Sequence, residues 1–362
     1  MAEFNETPRG NRIHIAFFGL RNAGKSTLVN AFTGQPIAIV SDVAGTTTDP
    51  VSKAMEILPL GPCLVTDTAG LDDEGELGEM RVRKTLDVLA TTDIAVWVSG
   101  EREKVKGENE EVWRSKLLDA CRRHGVAVLE HCRGDSVEVL KRKIAAVKIE
   151  DKVPGLLEGL VERGGRVTLV CPIDESAPKG RLILPQVQVL RECLDLHATV
   201  RVVQPEEFAD DGSLTIVDSQ TFGRIRASKL TSFSILFARQ KGDLDAFNRG
   251  LAAVKALKDG DAVLIAEACT HHRQCNDIGT TKIPKALEKL SGRKLKFVYA
   301  SGTSFAIGQP NNRTVEQYSL VVHCGGCMLT RRAMLARIGA AREAGIPIVN
   351  YGLLLQAAAN EK

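Results

Sequence analysis

The chain has 362 residues, 44% of them hydrophobic and 26% charged, with a formal net charge of +3. That length predicts two or three domains, each with its own core. The near-neutral balance and 4% aromatic content argue against a nucleic-acid surface. The lack of any run of about 18 apolar residues argues against a membrane span. Met1–Arg12 is polar and lacks the apolar stretch of a signal peptide, so the nine cysteines are expected in a reducing cytoplasm, binding metal or buried as thiols.

In chain order, Ile13–Phe18 reads as a buried strand, followed by a glycine turn and an apolar-periodic helix over Lys25–Phe32. Strands fit Cys63–Asp67 and Ile94–Val98, then a charged helix over Gly107–Arg123, a strand at Val126–Leu129 and a helix running through Val147. This alternation predicts a parallel sheet covered on both faces, with a strand at Arg166–Cys171 closing the region. A turn-rich stretch, Asp174–Gly180, leads into a helix over Pro185–Leu196, strands at Thr199–Val203 and Leu214–Val217, and an apolar segment at Phe233–Phe237. This second module carries no obvious catalytic set. From about Gly260, strands at Ala262–Glu267, Leu295–Ala300, Ser319–Val322 and Ile346–Asn350 alternate with helices around Pro284–Leu290 and Arg331–Ala344. The Ala-rich tail is expected to be frayed helix, and no internal repeat is visible. The expected division is an α/β P-loop domain over 1–168, a small α/β domain over 169–258 and a further α/β domain over 259–362.

Gly19-Leu20-Arg21-Asn22-Ala23-Gly24-Lys25-Ser26 fits the phosphate-binding loop, set between a strand and a helix as that motif requires. Its backbone N–H groups would wrap the phosphates, Lys25 would meet the β/γ oxygens, and Ser26 would bind Mg2+. Ala23, Gly24 and Thr27 complete the predicted nucleotide contacts. Asp67-Thr68-Ala69-Gly70 ends a strand, placing Asp67 to hold Mg2+ through water and Gly70 to face the γ-phosphate. Gly45-Thr46-Thr47-Thr48-Asp49 resembles the first switch loop of the TrmE–Era branch of GTPases, which makes Thr47 a Mg2+ ligand. Asn22 matches the P-loop asparagine that coordinates K+ in potassium-stimulated members of that branch; the alternative is a loop-stabilising amide. Leu71 follows Gly70, so the water-positioning glutamine of some GTPases is missing. Asp72, Asp73, Glu74 and Glu76 are expected to form a solvated face, with water orientation as the other reading. The guanine-reading N-K-x-D, whose aspartate accepts two hydrogen bonds from the base, is not found. One strand–helix unit is expected to be short or lost.

Two Cys/His clusters, Cys269-Thr270-His271 and His323-Cys324-Gly325-Gly326-Cys327, stand far from this loop. Four of the nine cysteines fall in the last hundred residues beside three of the seven histidines. Such grouping holds zinc or an iron–sulfur cluster, and spacing alone does not separate the two. Each cluster follows the carboxyl end of a predicted strand, so neighbouring parallel strands would bring both to one site. His14, His124, His131 and His197 read as surface or packed side chains, Cys63 and Cys171 as core thiols. Cys121, Cys132 and Cys193 lack ligand-spaced partners.

The chain resembles the HydF family, the GTPase and scaffold of FeFe-hydrogenase maturation. The resemblance rests on C-x-H followed by H-C-x-x-C with 51 residues between His271 and His323. It also rests on the stretches Pro172–Gln188, Asp218-Ser219-Gln220 and Thr231–Phe237. It implies a GTPase domain, a dimerisation domain and an iron–sulfur cluster-binding domain. It further implies a 4Fe–4S cluster on Cys269, Cys324 and Cys327, homodimerisation, and partnership with radical-SAM maturases and apo-FeFe-hydrogenase. The fourth ligand is open among His271, His272, Cys275, Asp277 and His323; His271 and His323 lead on motif grounds, while a fourth cysteine, Cys275, would close the site. A cluster carrier with a non-hydrolysing nucleotide site and a zinc-stabilised signalling GTPase are the competing readings.

Overall fold

The computed structural model describes residues 7–36, 51–72, 85, 88–101, 108–149, 153–173, 182–268, 278–302, 305 and 318–361. The chain divides into two compact units, Met1–Lys152 and Val153–Lys362.

The first unit holds a five-stranded sheet of order β2-β3-β1-β4-β5. The strands are β1 (Ile13–Phe18), β2 (Val51–Ile57), β3 (Gly61–Asp67), β4 (Ile94–Glu101) and β5 (Ala127–Arg133). All pairings are parallel except the β2–β3 hairpin. Strand β1 is buried on both faces because helices cover both. Ile15 and Phe17 pack with Leu28, Val29 and Phe32 of the helix Lys25–Thr33 and with Leu140 and Ile144 of the helix Val137–Ala145. Ala16 and Phe18 point the other way, toward Leu117 and Cys121 of the helix Glu108–His124. The alternation follows the two-residue period of a strand. Strand β2 escapes a sequence reading because Lys53 and Glu56 break its apolar run; it is a partly exposed edge.

The second unit contains two all-parallel four-stranded sheets with the same pattern of strand order, β7-β6-β8-β9 and β11-β10-β12-β13. The first comprises β6 (Arg166–Val170), β7 (Thr199–Val203), β8 (Leu214–Val217) and β9 (Leu230–Ser232). Strand β6 therefore does not close the nucleotide-loop region. It sits inside the second unit's sheet, where Val167 and Leu169 pack with Val189 and Cys193 of the helix Leu184–Asp195 and with Leu236 and Phe237. An apolar run fits either parallel sheet equally well, so its sequence could not choose. Phe233–Phe237 is the first half of the helix Phe233–Lys241, started by the Ser232 hydroxyl accepting the Ile235 N–H.

The second sheet comprises β10 (Ala262–Glu267), β11 (Lys296–Ser301), β12 (Leu320–His323) and β13 (Ile348–Asn350). Strands β10 and β12 are neighbours, with Ala266 opposite His323. The strand order reverses between them, and an open α/β sheet has its ligand crevice outside the carboxyl ends at such a point. The Ala-rich tail is a formed helix, Tyr351–Asn360, rather than a frayed one. The Asn350 carboxamide oxygen caps it by accepting the Gly352 N–H at 2.8 Å, and Tyr351 and Leu354 anchor it in the core. No described helix is long and apolar enough to cross a membrane.

Candidate functional site

The phosphate-binding loop lies between β1 and the helix Lys25–Thr33, whose N-cap is Gly24. Ala23 packs into the core, while Asn22 and Thr27 are exposed. Asn22 takes a left-handed conformation, φ 58°, which asparagine tolerates better than most residues. Lys25 is buried, its Nζ donating to the carbonyls of Gly19 (3.2 Å) and Leu20 (2.7 Å). Ser26 Oγ donates to Asp67 Oδ2 at 2.6 Å, tying the helix start to the end of β3.

Asp67 is fully buried, and its Oδ1 has no hydrogen-bond partner among the described residues. Burial pushes its carboxyl above the usual range, against the opposing pull of Ser26 and Lys25. An ionised, half-satisfied carboxylate in the interior is costly. A hard dication bound through oxygen removes that cost, so Ser26 and Asp67 fit Mg2+. Thr47 lies outside the described residues.

After Asp67 the chain is laced onto the loop. Thr68 Oγ1 donates to the Phe17 carbonyl (2.7 Å), the Leu71 N–H to the Gly19 carbonyl (3.2 Å) and the Arg21 N–H to Asp72 Oδ1 (2.6 Å). Arg21 Nε also stands 3.6 Å from Asp72 Oδ2. Gly70 is needed here: a Cβ would fall 2.6 Å from Arg21 Cγ and 2.9 Å from Arg21 N. Asp72 is thus a partner of the loop and not part of a solvated face. Asp73, Glu74 and Glu76 lie outside the described residues.

The structure also supplies a base-reading candidate that the sequence reading missed. Strand β5 runs to Arg133, four residues beyond the expected end at Leu129. Its carboxyl end carries Cys132-Arg133-Gly134-Asp135, at the position of N-K-x-D after the strand that follows β4. The aspartate and a basic second residue are kept; a cysteine replaces the asparagine. Asp135 Oδ2 accepts the Cys132 N–H at 3.3 Å, and Ser99 Oγ donates to Cys132 Sγ at 3.2 Å. Counting from the true strand end is the signal that finds it.

In the second unit, His323 ends β12 and Cys324 follows, its N–H donating to the Ala266 carbonyl at 3.0 Å. The Ala268 N–H donates to Cys324 Sγ at 3.2 Å, joining the carboxyl ends of β10 and β12. Cys269, His271, His272, Cys275 and Asp277 lie outside the described residues. The turn to Cys327 needs Gly326, whose φ of +67° disfavours other side chains. Cys324 is half-buried against the β10–β13 core, whereas Cys327 is buried in the core of the β6–β9 sheet. The two thiols thus sit at the seam between the two sheets. A cysteine sulfur already accepting a backbone N–H at a strand-end crevice fits an iron–sulfur ligand set, as those hydrogen bonds tune such clusters.

The surroundings are cationic. Lys241 is fully buried, with Nζ donating to the carbonyls of Cys327 (3.1 Å) and Leu329 (2.6 Å). Burial pushes its pKa down to about 8, and Cys327 opposes the shift. Arg337, also buried, reaches His323 Nε2 (2.8 Å) and the Gly302 carbonyl (2.9 Å). His323 Nδ1 is 2.7 Å from the Cys324 carbonyl, so both ring nitrogens are engaged. Cys63, Cys171 and Cys193 behave as core thiols: burial pushes Cys63 and Cys193 up to about 11 and Cys171 to about 12.

Three family profiles match the chain. One, described as the hydrogen maturase F dimerization domain, matches residues 156–242. The hydrogen maturase F tetramerization domain matches 245–360, the segment that carries the described cysteine loop. A 50S ribosome-binding GTPase profile matches 14–126. Among curated relatives, the tRNA modification GTPase MnmE of Zymomonas mobilis is 28% identical over 155 residues, covering 40% of this chain and 36% of that protein. MnmE of Endomicrobium trichonymphae is 40% identical over 91 residues, 24% of this chain and 19% of its own length. GTPase Der of Xylella fastidiosa is 36% identical over 154 residues, 40% of this chain and 32% of its own. The chain therefore spans between about a fifth and just over a third of the length of these three relatives. Among solved structures, Aquifex aeolicus Era bound to GDP·AlF4− aligns over 53% of this chain and 93% of its own at 15% identity and a TM-score of 0.30.

Proposed function

The chain belongs to the hydrogen maturase F family, and from that premise we propose that it is a GTP-hydrolysing scaffold of FeFe-hydrogenase maturation. It holds a 4Fe–4S cluster, accepts the diiron precursor of the hydrogenase active site and delivers it to apo-hydrogenase. The observation that carries this reading is the cysteine loop at the β10–β12 crevice, in a chain whose other unit pairs Ser26 with a buried, half-satisfied Asp67.

In the first unit, Lys25 exchanges its two carbonyl partners for phosphate oxygens, while Ser26, Asp67 and Thr47 hold Mg2+. Asn22, at the exposed turn of the loop, takes K+. Asp135 accepts the two donors on the guanine edge, N1–H and the exocyclic amine, and so selects GTP over ATP. Hydrolysis adds water to the γ-phosphorus and releases GDP and phosphate.

In the second unit, Cys269, Cys324 and Cys327 hold the cluster, with the fourth ligand among His271, His272, Cys275 and Asp277, since both ring nitrogens of His323 are engaged. When bound, the cluster supplies an iron with an exchangeable position at which a precursor attaches. The Ala268 N–H on Cys324 Sγ supports this set, because it draws the residue before Cys269 onto the second cysteine. The two oligomerisation domains support a homodimer that assembles further, with radical-SAM maturases and apo-hydrogenase as partners and the cytoplasm as the setting.

Anaerobic reconstitution, followed by iron and sulfide analysis and an absorption spectrum, tests the scaffold. Near four irons and four sulfides per chain are expected; a colourless protein with one zinc per chain would overturn the reading. Turnover of GTP against ATP tests the other unit, and hydrolysis of neither nucleotide would leave only a cluster carrier.

A further inference from the structure

Lys241 is the last residue of the helix Phe233–Lys241, which packs on the β6–β9 sheet, yet its side chain crosses to the cysteine loop. It is fully buried, and no carboxylate among the described residues pairs with it. Its Nζ also lies over the face of Phe237, 5.3 Å from the ring centre. The same Nζ rests on the backbone of Cys327 itself. On the other side of the loop, Arg337 is also buried and reaches His323, whose Nδ1 is 2.7 Å from the Cys324 carbonyl. A buried cation thus stands on each side of C-x-x-C.

Burying an ammonium without a counter-ion is costly, and a methionine would fill the same space without that cost. Two carbonyl bonds satisfy two of the three N–H donors and leave the charge uncompensated. A charge kept in such a place marks an anion beside it in the working state. Thiolates carrying an iron–sulfur cluster are such an anion, and the potential of a cluster follows the net charge and hydrogen bonds around its sulfurs.

We propose that Lys241 is the counter-cation and positioning residue of the cluster loop. It fixes the Cys327–Leu329 backbone and sets positive charge against the Cys327 thiolate, raising the reduction potential of the cluster and tying the β6–β9 sheet to it. The inference rests on the reading that Cys324 and Cys327 are cluster ligands.

Three variants separate charge from hydrogen bonding: Lys241→Met removes both, Lys241→Gln keeps a donor for the carbonyls, and Lys241→Arg keeps the charge. Each full-length protein is reconstituted anaerobically and titrated by electron paramagnetic resonance, and iron release to a chelator is timed. The Met and Gln variants are expected to shift to more negative potential and to lose iron several-fold faster, with Arg close to the parent. GTP hydrolysis should be unchanged in all three, since the nucleotide loop belongs to the other unit. If the Met variant fails to fold, the Gln and Arg pair carries the same comparison. A Gln variant with the parent's potential and iron release would reduce Lys241 to a loop clamp and overturn the proposal. A parent chain that takes up no cluster would instead sink the scaffold reading itself.

Discussion

Arg337 Nη1 stands 2.8 Å from His323 Nε2, and the other ring nitrogen of His323 lies 2.7 Å from the Cys324 carbonyl. The arrangement makes Nδ1 the protonated nitrogen and Nε2 the acceptor. An imidazole so engaged, and wholly buried, has no lone pair to offer iron unless Arg337 withdraws. His323 is therefore a positioning residue for Cys324, and the fourth-ligand question moves to His271, His272, Cys275 and Asp277. His323→Gln is expected to keep full iron content while losing about 1–3 kcal/mol of stability, the cost of disturbing buried hydrogen bonds. Iron per chain and a denaturant midpoint decide it; loss of the cluster absorption would put His323 back among the ligands.

Cys324 and Cys327 differ in burial, and their serine variants should differ accordingly. Both are expected to abolish the cluster and leave GTP hydrolysis intact. Cys327→Ser also places a hydroxyl in the core around Leu169, Phe233 and Phe237, at a cost of about 1–3 kcal/mol. Cys324→Ser, half-buried at the crevice, should cost less. Equal unfolding midpoints for the two apo variants would contradict the placement of Cys327 inside the β6–β9 core.

Most strands of these sheets were legible as short apolar runs, because both faces of a parallel strand are covered and the pattern needs no partner to be recognised. What a run cannot declare is which sheet it joins: Arg166–Cys171 reads as closing the nucleotide-loop region, whereas β6 pairs with β7 and β8. The cysteine loop was legible because ligand spacing is local. Lys241 was not: it lies 86 residues from Cys327, and nothing in Arg239-Gln240-Lys241-Gly242 marks its lysine as buried. Asp135 was hidden for a different reason. With the strand expected to end at Leu129, Cys132-Arg133-Gly134-Asp135 falls between it and the helix expected to run through Val147, away from any strand end.

Asp135 gives a test by chemical complementarity. Its carboxylate accepts the N1–H and the exocyclic amine of guanine, whereas adenine offers an acceptor at N1 and no donor at C2. Asp135→Ala is expected to weaken GTP binding at least about tenfold, the scale of one lost charge-assisted hydrogen bond. Asp135→Asn should shift preference toward xanthosine triphosphate, whose C2 carbonyl matches the new amide donor. Unchanged GTP affinity in both variants, read by titration with a fluorescent analogue, would remove Asp135 from the base site.

Asn22 separates two roles. Its left-handed φ of 58° shapes the loop, and its exposed amide is free of the core. If it also coordinates K+, hydrolysis should be several-fold faster in potassium than in sodium, and Asn22→Gly, which keeps the conformation, should lose that difference. Equal rates in the two salts would leave only the conformational role.

The first unit should be acid-sensitive. His14 is buried on β1, with Nε2 3.0 Å from the Arg9 carbonyl, and burial holds its pKa below the usual value. His131 on β5 is lowered by burial as well. A folded state that keeps these rings neutral binds fewer protons than the unfolded chain, so their stabilising contribution is present above about pH 6.5 and is lost as pH falls through the depressed folded values. Both tryptophans of the chain, Trp97 and Trp113, lie in this unit, so their emission reports its unfolding alone. The urea midpoint read this way is expected to drop between pH 7.5 and 5.5, and His14→Gln, which keeps a donor for Arg9, should flatten much of that slope, with His131 accounting for the remainder. A midpoint that does not move with pH in the parent, or a slope unchanged in the double His14→Gln, His131→Gln variant, would show that other groups govern acid stability here.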